Sequence, residues 1–265
     1  MPTVGAAGTR FTYDEVGSGP PLVLVHGTGG SGSMLAAAAR QLSADHRVIT
    51  YDRRGCGRTG GAPPARKDFL QVHANDLAAV MRELGAVPAT VVGWSWGAIV
   101  ALAAAAHHPA SVARIVLFEP PLHVKKHPTL SSLRALGGAI ALGKVGAHRR
   151  GAERFARWAL KRRDGSSAYD AAGAAVRGAL LDDARAVIAE LEAGTGEELD
   201  DAVLARVRCP VSLLTSTRSR DELTAPAKRL ARTFPGARGT TVEGDHLAIV
   251  ERPDAFAQAV RALLR

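Results

Sequence analysis

Residues 90–102, Thr-Val-Val-Gly-Trp-Ser-Trp-Gly-Ala-Ile-Val-Ala-Leu, constrain this chain more than any other stretch. A β-branched run enters Gly93-Trp94-Ser95-Trp96-Gly97 and an alanine-rich helical run leaves it. That is the pattern of a strand, a sharp turn and a helix. A serine at the tip of so tight a turn takes strained backbone angles, and the residues two positions away on either side must be small. Its Oγ is then exposed at a helix N-terminus, where the dipole and free N–H groups favour a developing oxyanion. The alternative is an ordinary glycine-flanked turn with an unreactive serine; the flanking elements favour the reactive one.

Strand and helix patterns alternate on both sides of this stretch. Residues 9–16 alternate as a half-exposed strand before the turn Gly17-Ser18-Gly19-Pro20-Pro21. Leu22-Val23-Leu24-Val25, Arg47-Val48-Ile49-Thr50-Tyr51, Arg114-Ile115-Val116-Leu117-Phe118 and Cys209 to Ser216 read as further strands, most of them buried. One more strand is expected around 240–242, with helices over 33–42, 65–84, 224–232 and 252–264. Six or seven strands alternating with helices predict an α/β fold with a mainly parallel sheet covered on both faces. Residues 122–208 differ, being helical in composition with no convincing strand.

The Gly93-x-Ser95-x-Gly97 turn resembles the nucleophile elbow of the α/β-hydrolase family. His26-Gly27-Thr28-Gly29-Gly30 is similar to the oxyanion loop that follows an early strand in that family, and it lacks the lysine and spacing of a P-loop. The resemblance implies Thr28 and Trp96 as the two N–H donors of an oxyanion hole, with Gly27, His26 and Trp94 near the substrate and His26 bracing the loop rather than acting as a base. Asp52-Arg53-Arg54-Gly55-Cys56-Gly57-Arg58-Thr59 resembles the loop that lies beneath such active sites. Its charged residues are expected to tie it to neighbouring backbone, and Cys56 to be a small filler rather than a thiol activated by three arginines. Gly244-Asp245-His246, just before the last helix, matches the family's position for the base, so His246 is expected to activate Ser95.

The acid is the atypical member. The family's usual aspartate would fall near position 219, where this chain has Ser219. Two carboxylates compete: Glu119, which haloalkane dehalogenases match with a catalytic glutamate after the strand next to the elbow, and Asp221, two residues beyond the usual site. A carboxylate at the pocket end of a buried strand costs desolvation unless it is paired, and an imidazolium would be a fitting partner. Glu119 is therefore preferred and Asp221 is the alternative.

The resemblance divides the chain into a core, 1–121 with 209–265, and a helical cap, 122–208. Within the cap Leu130, Leu133, Leu136, Ile140, Leu142, Phe155, Trp158 and Leu160 either pack as core or face the pocket, and Trp158 is taken as a substrate contact. From Lys125 to Arg163 there are eleven lysines and arginines and one carboxylate, Glu153, in a chain of net charge +9. Such a face is either solvated or steers an anionic or carrier-bound substrate. No zinc-finger, aromatic or helix-turn-helix pattern accompanies the charge, so nucleic-acid binding is set aside. The two cysteines are far apart and have no metal-ligand spacing, and neither a metal nor a cofactor is implied. The opening Met1-Pro2-Thr3-Val4-Gly5 does not read as a signal peptide and no run is long enough for a membrane span. A soluble cytoplasmic monomer or homodimer is expected.

These features predict a serine hydrolase of a carboxylic ester, thioester or lactone. Trp96 is similar to its counterpart in proline iminopeptidases, but their His-Gly-Gly-Pro loop is absent. Two alternatives use the scaffold differently: acyl transfer, cyclisation or cofactor-free lysis at the same Ser/His site, or binding without turnover. Activated esters separate the last from the others, and added acceptor nucleophiles separate hydrolysis from transfer.

Overall fold

The computed structural model describes residues 2–124 and 126–265; Met1 and Lys125 lie outside the described residues. Among the described residues eight strands form one sheet: β1 Thr3–Ala6, β2 Thr9–Val16, β3 Pro21–Val25, β4 Arg47–Tyr51, β5 Ala89–Trp94, β6 Val112–Phe118, β7 Val211–Ser216 and β8 Arg238–Val242. Their order is β1-β2-β4-β3-β5-β6-β7-β8. Only the β1–β2 and β2–β4 pairs are antiparallel. The strand that sequence patterning did not anticipate is β1, Thr-Val-Gly-Ala, four residues at the sheet edge, too short to leave a signal.

Both faces of the sheet are covered, which is why its central strands read as unbroken apolar runs. Val23, Val25, Ile49, Val91, Ile115 and Leu117 point to one side, where α2 (Phe69–Glu83) and α3 (Trp96–His107) pack. Leu22, Leu24, Val48, Val92, Val116 and Phe118 point to the other, which α1 (Ala36–Leu42) and the C-terminal helix help to cover. Successive residues of one strand thus feed two cores. Helix α3 is buried on all sides through Ala106. Its alanines let it pack against the sheet and α2 at once, as an all-apolar helix must.

Between β6 and β7 the described residues form α4 (Leu130–Lys144), α5 (His148–Ala159), α6 (Ala168–Ala171), α7 (Ala174–Asp182), α8 (Ala184–Ala193) and α9 (Asp201–Leu204). After β7 come α10 (Asp221–Thr233), α11 (Ala248–Glu251) and α12 (Pro253–Leu264). Helices α4, α5 and α8 pack together through small residues: Gly151 abuts the Ala139 carbonyl, and Gly143 abuts Ile188. Leu130 and Leu133 neither pack as core nor face a pocket. They are 63% and 58% exposed, because α4 turns Ala135, Ala139 and Gly143 inward instead. No helix among the described residues is long and apolar enough to cross a membrane.

The glycine spacing of the central turn is enforced by contact. A Cβ on Gly97 would lie 2.3 Å from the Val25 carbonyl oxygen and 2.5 Å from that of His26. Gly97→Ala should therefore destabilise the fold by at least about 3 kcal/mol. Gly137, within α4, gives the contrast, since a Cβ added there would meet nothing within 4 Å. Gly137→Ala should stabilise by about 0.5–1 kcal/mol. Urea unfolding of the two variants checks both signs.

Candidate active site

Ser95 sits between β5 and α3 with φ 55° and ψ −122°, a conformation that costs on the order of 1–3 kcal/mol in an L-residue. The surroundings hold it there. Its N–H donates to the Phe118 carbonyl at 2.8 Å, and its carbonyl accepts from Ala98 N at 2.9 Å. A Cβ on Gly93 would meet the Ala98 backbone, and one on Gly27 would lie 2.9 Å from Ser95 Cβ. The serine therefore lies under the His26–Thr28 loop, and the Trp96 N–H opens a helix whose first-turn donors have no intrahelical partner.

His246 follows β8 in a turn with Gly244 at φ 131°. Trp94, the residue before Ser95, donates its indole N–H to the His246 carbonyl at 2.9 Å, so the elbow itself positions the histidine loop. Nδ1 of His246 is 2.6 Å from Glu119 Oε2. Against a carboxylate acceptor Nδ1 carries the ring hydrogen, leaving a lone pair on Nε2.

Glu119 is fully buried at the end of β6, with φ 47°. Its Oε1 accepts from the Ser216 N–H at 2.8 Å and the Ser216 hydroxyl at 2.7 Å. Its Oε2 accepts from Ser219 at 2.9 Å as well as from His246. Four donors replace the water such a carboxylate gives up. Ser219, which stands where an aspartate was expected, thus hydrogen-bonds the carboxylate that faces His246. Asp221 lies elsewhere: its side chain is 82% exposed and faces Arg163 at 3.7 Å.

Ser95, His246, Thr28, Phe155 and Ala159 line two adjoining lobes of one apolar cavity. Trp94, Leu160, Leu180 and Val187 complete one lobe; Trp96, Leu136, Trp158, Leu191 and Glu190 help line the other. His26 and Gly27 stay behind this wall. His26 is fully buried, with Nε2 accepting from Arg53 N at 3.0 Å and Nδ1 donating to the Gly27 carbonyl at 2.9 Å. It braces the loop and does not reach the cavity. Trp158 donates its indole N–H to Ser131 at 2.8 Å, and the Arg220 guanidinium stacks on its ring.

Sequence reading missed Glu190. It is 1% exposed and pairs with the fully buried Arg53 at 2.9 Å; burial pushes its carboxyl above the usual range, and Arg53 opposes the shift. Its signal was a carboxylate three and four residues after Val187 and Ala186, on the inward stripe of α8. Cys56 is a buried filler: loss of hydration pushes its thiol up to about 12, outweighing the pull of Arg53.

A family model described as alpha/beta hydrolase fold matches residues 20–172. An uncharacterized hydrolase of Bacillus subtilis is 33% identical over 120 residues, covering 45% of this chain and 44% of that protein. The match therefore spans less than half of the Bacillus protein's length. The pimeloyl-[acyl-carrier protein] methyl ester esterase of Chromobacterium violaceum is 32% identical over 227 residues, 84% of this chain and 85% of that one. Among solved structures, the enol-lactonase of Burkholderia xenovorans superposes with a TM-score of 0.80 over 99% of both chains at 22% identity, a likeness of fold.

Two buried histidines beneath the cavity make the fold acid-labile. Burial, followed by the Arg53 charge, holds His26 and His73 well below their ordinary 6.5. The unfolded chain takes up these protons near pH 6.5 while the folded chain does not, so their contribution is intact above that pH and is lost as pH falls below it. The slope is about 1.4 kcal/mol per pH unit for each histidine. His73 stacks against Phe69 and Trp96, and His73→Phe should make the fall in denaturant midpoint between about pH 6.5 and 5 smaller than in the wild type.

Proposed function

This chain belongs to the α/β-hydrolase fold family, and on that premise we propose that it is a serine hydrolase cleaving a carboxylic ester, thioester or lactone through an acyl-enzyme. The observation that carries this reading is His246 Nδ1 at 2.6 Å from the buried Glu119, in a cavity wall shared with Ser95. Ser95 Oγ attacks the carbonyl carbon as its proton passes to His246 Nε2. The Thr28 and Trp96 N–H groups receive the negative charge that builds on the carbonyl oxygen. Collapse breaks the bond to the leaving group, which takes the proton from Nε2. Water then adds to the acyl-enzyme by the same route, releasing the acid and restoring Ser95. Glu119 orients the imidazole and stabilises its cationic form. The name of the Chromobacterium relative supports an ester as substrate.

The helices of 122–208 act, on this reading, as a cap over a core made of 1–121 and 209–265. The apolar lobes suit a hydrocarbon acyl or alkyl group. On the outer side of α4 and α5 a groove is lined by Arg134, Arg150 and Arg154 and by the Arg157–Glu153 ion pair, beside Trp158, which also lines the inner lobe. That adjacency supports a substrate with an apolar end inside and an anionic or carrier-borne end outside.

A fluorophosphonate should label Ser95 alone, and Ser95→Ala should abolish both labelling and hydrolysis of 4-nitrophenyl esters. Glu119→Gln should lower kcat by about 10³–10⁴, while Asp221→Asn stays near wild type; the reverse order would make Asp221 the acid. Acyl transfer to added alcohols in preference to water would replace hydrolysis with the transferase reading. Arg150→Glu combined with Arg154→Glu should reduce kcat/KM for a carboxylate-bearing ester, and high salt should reduce the wild-type value likewise. A neutral ester should respond to neither.

A further inference from the structure

The two residues read above as oxyanion donors are both tied to one helix of the 122–208 segment. Thr28 donates its hydroxyl to Glu190 Oε2 at 3.1 Å, and Trp96 donates its indole N–H at 2.9 Å to the carbonyl of Gly194, the residue that follows α8. Between them lies Arg53. Its Nη2 donates to Glu190 Oε1 at 2.9 Å and to the Gly27 carbonyl at 3.2 Å, its Nε donates to the His26 carbonyl at 3.2 Å, and its guanidinium stacks on the Trp96 ring. The Gly27 carbonyl also accepts from the His26 ring and from Gly30 N at 3.1 Å.

The Gly27 carbonyl and the Thr28 N–H belong to one planar trans peptide and point in opposite directions. Three donors gathered on the carbonyl therefore fix the direction in which the Thr28 N–H points. Arg53 can serve as one of them deep in the protein only because Glu190 neutralises it. A second anchor is the Thr28 side chain, which the same carboxylate holds.

Resting on the hydrolase reading, we propose that Glu190 is a positioning residue for the oxyanion hole, aligning the Thr28 N–H through Arg53 and the Thr28 hydroxyl, so that the hole is assembled only when α8 is seated on the core. Nothing in this role requires Glu190 to touch the reacting atoms. Asp183, at the start of α8, accepts from Gly57 N at 2.5 Å and seats the helix at its other end.

The test compares transition-state with ground-state recognition in wild type, Glu190→Gln and Thr28→Val. Wild-type turnover of a 4-nitrophenyl ester and tight binding of phenylboronic acid, which forms a tetrahedral anion on an activated serine, are established first. Their absence would overturn the hydrolase reading rather than the role of Glu190. Glu190→Gln should then lower kcat and boronate affinity together by about 10- to 100-fold, with KM changed less than threefold and the pH profile of kcat unmoved. Thr28→Val keeps the backbone N–H and the side-chain shape, and should lose kcat and boronate affinity in the same direction by a smaller factor. It decides the matter if Glu190→Gln does not fold. Unchanged boronate affinity in folded variants, or losses in KM that match those in kcat, would reduce Glu190 to a packing contact and overturn the proposal.

Discussion

The close approach of α3 to the β3 loop governs the rest of the molecule. Backbone passes against backbone where Gly97 meets the Val25 and His26 carbonyls, and Gly93 and Gly27 close the remaining sides around Ser95. Any side chain at these positions would push the helix off the sheet and relax the serine out of its positive-φ state. The strain is held because the surroundings over-determine it: hydrogen bonds to the Phe118 carbonyl and from Ala98 N, and an α3 with no exposed face. The same contact places the start of α3 beside the Thr28 loop, so the turn that presents Ser95 also brings the Thr28 and Trp96 backbone close. Trp94 extends this economy by fixing the His246 backbone from the residue adjacent to Ser95.

A buried carboxylate is the second constraint. Glu119 is wholly removed from water, and its position is tenable because the β7 end supplies two serines and a backbone N–H while the β8 loop supplies an imidazole. Placing the carboxylate at the end of β6 rather than in the loop after β7 brings it to His246 Nδ1. It changes what the β7 loop must provide, and hydroxyl donors there take the place of a charge. Ser216 and Ser219 consequently hold the Glu119 carboxylate, and their hydroxyls lie 2.7 Å apart between its two oxygens. Asp221, free of that requirement, stays in solvent at the first turn of α10, where a negative charge is favoured by the helix dipole.

How much of this the sequence discloses depends on the range of the interaction. The central strands, the serine turn and the histidine turn were legible because each is set by neighbours in the chain: β-branched runs, paired glycines, a helix beginning on cue. Glu119 emerged by weighing desolvation against partners, and the structure supplies those partners. β1 left no trace because a four-residue edge strand is too short to show a periodicity. Leu130 and Leu133 misled because apolar spacing says that a stripe exists and not which stripe a tertiary partner will cover; α5 and α8 cover the small-residue stripe of α4. Glu190 and Arg53 lie 137 residues apart, and no local pattern connects an arginine in a loop after β4 to a carboxylate on α8.

That pair has a counterpart on the histidine side. Arg162, in the segment after α5, reaches Asp245 at 2.6 Å, with side-chain exposures of 11% and 7%, and Asp245 immediately precedes His246. The helices after β6 are thus fastened to the core by two largely buried ion pairs, one next to the Thr28 loop and one next to His246. A well-packed apolar contact of the same size would hold the helices at least as firmly, since desolvation offsets much of the Coulomb attraction in such pairs. What ion pairs provide instead is selectivity of position: a small displacement of α8 or of the Arg162 segment strands a charge, at about 3–5 kcal/mol, where a greasy contact would merely slide. Placed one residue from His246 and one hydrogen bond from Thr28, that steep penalty makes the seating of the helical segment and the order of the reactive groups a single structural event.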